Sequence, residues 1–87
     1  MILVDPAAWP YRGRLWAHLV SDTSYEELHA FAEQLGIPRR AFQGDHYDVP
    51  EAVREEALAL GAVPVTSRQV VEALRAAGLR RSRQHRT

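Results

Sequence analysis

No cysteine occurs among the 87 residues, which excludes thiolate nucleophiles, disulfides and Cys-type zinc sites. Lysine is absent too, since all 11 basic residues are arginine. Schiff-base chemistry and the lysine of a phosphate-binding P-loop are therefore excluded. No apolar run approaches the ~20 residues of a membrane span. Ile2-Leu3-Val4 runs into Asp5-Pro6 without a charged-then-apolar leader, so a cytoplasmic protein with no membrane association is expected. Also missing are G-x-S-x-G, H-E-x-x-H, Walker and dinucleotide-binding signatures.

At this length the chain forms one domain that buries roughly 60–65% of its unfolded surface. With 46% hydrophobic residues, one modest core is within reach without a metal or disulfide staple. The zero net charge hides an asymmetry. Arg80, Arg81, Arg83 and Arg86 lie in the last eight residues with no acid among them. The remaining seven arginines face 11 acids, so the body carries about −4. The division expected is a domain over 1–79 and a basic, flexible tail over 80–87. An acidic body argues against a broad nucleic-acid-binding face. The tail is either a solvated terminus or a contact for nucleic acid or an acidic partner.

Three helices are punctuated in the chain. Leu28, Phe31, Ala32 and Leu35 have the spacing of a buried stripe, with Ser24 and Glu27 at capping-box distance and Gly36 as the stop. A second helix is expected from about Val49 to Leu60 and a third from Ser67 to Gly78. Ile2–Val4 and residues 62–66 read as strands, Pro64 favouring an edge, and Ala41-Phe42 as a weaker third. Residues 6–22 hold Pro6, Pro10 and Gly13 among Trp9, Tyr11, Leu15 and Trp16, and read as an apolar loop that packs over the sheet or presents a surface. The fold expected is α/β: a small three-layer domain with a short, mostly parallel sheet of about three strands and three helices.

Gly44-Asp45-His46-Tyr47-Asp48 places two carboxylates, an imidazole and a phenol within five positions. Asp48-Val49-Pro50-Glu51 has a ready explanation as a helix cap. Asp45 could close a turn after Gly44, and His46 could be an ordinary packing or surface residue; either could equally serve chemistry. His18 with Asp22 forms a second constellation able to ligate a metal or to pair as base and orienter. Asp22 could instead lead into the Ser24 cap. Ligands in open α/β sheets sit beyond the carboxyl ends of the strands. Asp5, the 44–48 cluster and Thr66-Ser67-Arg68 would converge there, with the helix start at Ser67 and the Arg68 guanidinium suited to an anion.

Several segments together resemble a known family. They are Val4-Asp5-Pro6 with Trp9, the run from Gly13 to Asp22, Leu28 to Ala32, Gly44 to Pro50, and Gly61 to Arg68. They are similar to the small bacterial and phage domain-of-unknown-function family numbered 4031, over about residues 1–79. The resemblance implies that these polar residues belong to the family pattern; it implies no activity.

The leading expectation is a divalent-metal-dependent hydrolase, or a binding protein, for a phosphate-containing ligand. Asp45, His46, His18 and Asp22 are the candidate acid–base groups; Asp5, Asp22, Asp45 and His46 are the candidate metal ligands. Ser67 and Arg68 would hold the anion. The ligand would be a small phosphate-containing molecule or a nucleic-acid fragment, and a homodimer is compatible with the sequence. The alternative is a non-catalytic adaptor that uses Trp9, Tyr11 and Trp16 as a partner surface.

Overall fold

The run Arg14–Ser21 forms the longest strand of the computed structural model, which describes residues 1–81. Its side chains alternate, so Trp16, His18 and Val20 share one face and Ala17, Leu19 and Ser21 the other. In chain order the strands are β1 (Ile2–Val4), β2 (Trp9–Tyr11), β3 (Arg14–Ser21), β4 (Tyr47–Pro50) and β5 (Val63–Pro64). The helices are α1 (Tyr25–Gln34), α2 (Glu51–Ala59) and α3 (Ser67–Ala76). Leu19 stands opposite both Val4 and Tyr47, and Trp16 opposite both Trp9 and Pro50. β1 and β2 therefore share one edge of β3, and β4 occupies the other, all antiparallel. β5 joins β1 in parallel, Leu3 beside Val63.

The α/β class and the three helices stand; the mostly parallel sheet of about three strands is corrected to a mixed sheet of five with one parallel pair. The difference lies in residues 6–22, which form a hairpin and not a loop. Arg12 and Gly13 both have positive φ, 52° and 75°, as in the two-residue turns whose twist matches paired strands. Pro10 is tolerated because β2 pairs on one side only. Ala41-Phe42 is not a strand either. A 3-10 turn covers Arg39–Ala41, and Phe42 makes a single bridge to Tyr47.

Ser24 caps α1 by accepting the Glu27 N–H, and Thr66 caps α3 in a full capping box with Gln69. Asp48 does not cap α2. Val49 and Pro50 belong to β4, and the helix starts after Pro50 with no side-chain cap. The inward alternation of Tyr47 and Val49, both buried, outweighs the cap-like spelling.

Three layers result. α1 and α2 cover one face, where Leu28, Phe31 and Ala57 meet Ile2, Val4, Leu19, Tyr47 and Val49. α3 covers part of the other, Val70 and Leu74 packing on Leu3 and Val20. The rest of that face, with Trp9, Trp16, His18 and Asp48, is half-buried. No helix among the described residues is long and apolar enough to cross a membrane.

Candidate metal centre

The antiparallel register of β3 and β4 sets His18 directly opposite Asp48. His46 precedes Asp48 by two residues. Its Nε2 lies 3.1 Å from Asp48 Oδ1, and its ring meets that of His18 edge to face at 5.1 Å. One ligand atom from each of His18, His46 and Asp48 lies within 4.8 Å of the other two. Donors at about 2.1 Å from one zinc-sized ion stand roughly 3.4 Å apart, so His46 and Asp48 already hold that spacing. This trio could hold a metal ion.

Each imidazole is fixed from behind by a buried carboxylate. Asp5 accepts from His18 Nδ1 at 2.9 Å, from the His18 backbone N–H at 2.6 Å and from the Ser67 hydroxyl at 2.8 Å. Its backbone is pinned as well, N–H to the His18 carbonyl and C=O to Arg54 Nε. Asp45 accepts from His46 Nδ1 at 2.7 Å and from the Arg81 backbone N–H at 2.9 Å, with Arg80 Nη1 at 3.6 Å. A carboxylate at Nδ1 puts the proton there and leaves the Nε2 lone pair for an ion. Burial separates the roles. The Asp5 and Asp45 side chains are 2% and 4% exposed, against 36%, 23% and 27% for His18, His46 and Asp48.

The electrostatics agree with the geometry. Burial alone would raise the Asp5 carboxyl, but the bonds from the His18 ring, its backbone and Ser67 prevail and hold it below its ordinary value. Burial pulls His46 down, yet Asp48 and Asp45 together outweigh it and raise its pKa. A proton on His46 Nε2 would occupy the place beside Asp48 that an ion would take. Three protein donors would leave coordination positions open on an ion held there, as a catalytic site requires.

Asp5, His18, Asp45, His46 and Ser67 line one small cleft of about 180 Å³, with Val70 and Val71 of α3 as its apolar wall and Arg80 beside them. Asp22 is not brought in. It lies at the far end of β1, where it pairs with the Met1 amine at 2.9 Å. Asp5 and Asp45, expected as ligands, stand behind the histidines, and the Ser67 hydroxyl is engaged by Asp5. Arg68 is exposed in the first turn of α3. Asp48, set aside as a cap, is the third donor; its position opposite His18 could be read only from the strand register. Arg80 and Arg81, counted with the tail, lie against Asp45, and residues 82–87 lie outside the described residues. His29 belongs to the opposite face, its Nδ1 2.8 Å from the Tyr47 hydroxyl.

A family model described as "Protein of unknown function (DUF4031)" matches residues 2–77. No curated protein and no solved structure matches the chain.

Proposed function

Because the chain belongs to the DUF4031 family, whose description names no activity, we propose from the site itself that it is a divalent-metal-dependent hydrolase of a phosphate-containing ligand. His18, His46 and Asp48 hold the ion, and Asp5 and Asp45 are positioning residues. The observation that carries this reading is the pair of carboxylate–imidazole dyads, each with a buried acid, whose rings share a neighbourhood with one half-buried carboxylate, Asp48. A merely structural histidine rarely needs a buried acid behind it and a second acid in front, as His46 has.

Two imidazoles and one carboxylate suit zinc, iron or manganese better than magnesium or calcium, which prefer all-oxygen shells. A bound ion would act as Lewis acid on a phosphate oxygen and lower the pKa of water. In ester hydrolysis the water oxygen bonds to phosphorus, the P–O ester bond breaks, and the alcohol departs with the proton. The half-exposed Arg80 guanidinium at the cleft supplies a cationic donor for the phosphate.

Calorimetric titration with Zn²⁺, Mn²⁺ and Mg²⁺ tests the centre. Zinc or manganese should bind one per chain, more tightly than magnesium, and binding should be lost in His18→Ala, His46→Ala and Asp48→Ala but kept in Asp22→Ala. Hydrolysis of bis(p-nitrophenyl) phosphate by the loaded protein tests the chemistry. No binding, or binding indifferent to the three substitutions, would sink the proposal.

The adaptor reading draws on Tyr11 and Leu15, 52% and 42% exposed on the hairpin. Trp9 and Trp16 instead stack on each other at 5.9 Å and are half-buried, which leaves a small apolar patch for a protein partner.

A further inference from the structure

The sheet face that carries the three donors continues as a row of aromatic rings. Trp16 precedes His18 by two residues on β3 and shares its face, and Trp9 stands opposite Trp16. Ring centroids lie 5.9 Å apart from His18 to Trp9 and 5.9 Å from Trp9 to Trp16, both pairs near parallel. Tyr11 lies 6.3 Å from Trp9 and 6.4 Å from Trp16, so the three rings form a cluster, and it is 52% exposed. In a domain this small, tryptophans serve stability best beneath a helix. Here α3 packs on Leu3 and Val20 instead, and the tryptophans stay half-buried beside the metal centre. Cations mark both ends. The Arg12 guanidinium lies over the Tyr11 ring at 5.3 Å, Arg14 shares the Trp16 face by alternation, and Arg80 borders the cleft at the other end.

We infer that the ligand is a nucleotidyl group, its phosphate at His18, His46 and Asp48 and its base against the cluster of Trp9, Tyr11 and Trp16. This rests on the metal-centre reading above. The Trp9 ring lies 5.9 Å from the His18 ring, a span comparable with the sugar that separates base from phosphate. Bases stack on aromatic side chains with little regard to identity, so the row selects for a base without choosing among bases. A free mononucleotide and the end of a single strand offer the same chemistry.

The test uses the zinc-loaded protein, with loading verified by metal analysis. AMP, ribose 5-phosphate and a single-stranded tetranucleotide are compared by calorimetry and by quenching of tryptophan fluorescence. AMP should bind roughly 10-fold more tightly than ribose 5-phosphate and quench the fluorescence. Tyr11→Ala and Trp16→Leu should remove that gain and leave ribose 5-phosphate binding unchanged. Tyr11→Ala keeps the test decisive if Trp16→Leu does not fold. A tetranucleotide that binds tighter than AMP assigns the site to strand ends, and equal binding assigns it to free nucleotides. Equal affinity for AMP and ribose 5-phosphate, with zinc bound, overturns this inference alone. Failure of zinc to bind overturns the metal centre itself.

Discussion

Asp5 and His18 meet twice: one buried carboxylate accepts both the backbone N–H of His18 at 2.6 Å and its ring Nδ1 at 2.9 Å. The same acid therefore fixes the main chain and the side chain of a candidate metal donor on the neighbouring strand. Asp5→Asn keeps the volume and loses the charge. Zinc affinity should fall about 10–100-fold, measured by calorimetry on protein whose circular dichroism is unchanged. Asp5→Ala should in addition destabilise the fold by about 2–4 kcal/mol, because it leaves buried donors without an acceptor; the urea midpoint reads this. Unaltered zinc affinity in both variants would remove Asp5 from the site.

Zinc should also stabilise the fold. At a concentration 100 times its Kd, a ligand of the native state contributes about 2.7 kcal/mol, which for a domain of this size raises Tm by roughly 10 °C or more. Scanning calorimetry should show that rise in the unaltered protein and in Asp22→Ala, and its loss in His46→Ala and Asp48→Ala. A rise shared by all four would place zinc elsewhere.

The histidines should titrate apart in the metal-free protein. His46 is raised because its two acids outweigh its burial, and His29 is lowered by burial, then by Arg39, against the pull of Glu26. A raised histidine contributes stability that is fully present below the unfolded pKa of about 6.5 and is lost as pH rises through the folded value. A lowered one acts oppositely, and its site loses stability as pH falls below about 6.5. Proton NMR of the ring resonances should find His46 titrating above 6.5 and His29 below. The reverse order would mean that Asp45 and Asp48 do not face His46.

Tyr47→Phe separates the two sides of the sheet. The Tyr47 hydroxyl is buried and bonds His29 Nδ1 at 2.8 Å, on the face away from Asp48. Removing it should cost about 1 kcal/mol in chemical denaturation and leave zinc affinity as it was. A loss of zinc binding would show that the two faces communicate through β4.

Much of this could be read from residue order, for identifiable reasons. α1 and α3 announce themselves because Ser24 and Thr66 are strong caps before regular apolar stripes. Ile2–Val4 is legible as a continuous buried run, and Asp5 follows from it. The hairpin was hidden because Arg12-Gly13 lacks the asparagine or aspartate that usually marks such a turn, and because Pro10 argues against a strand. Asp48 was hidden by a coincidence of spelling: the same four residues serve as a helix cap in one context and as the end of an alternating strand in another. The union of His18 with Asp48 depends on a pairing across 30 residues of chain. No local pattern encodes it.

β3 pairs with three strands, so its alternation is enforced from both edges. A shift of pairing by one residue would turn His18 into the interior and Leu19 out to solvent. Misregistered folding thus leaves an imidazole among Leu28, Phe31 and Val49 and no donor opposite Asp48. On the proposed metal centre, capture of an ion at Asp48 would double as a proof-reading signal, reporting that the central strand is correctly threaded.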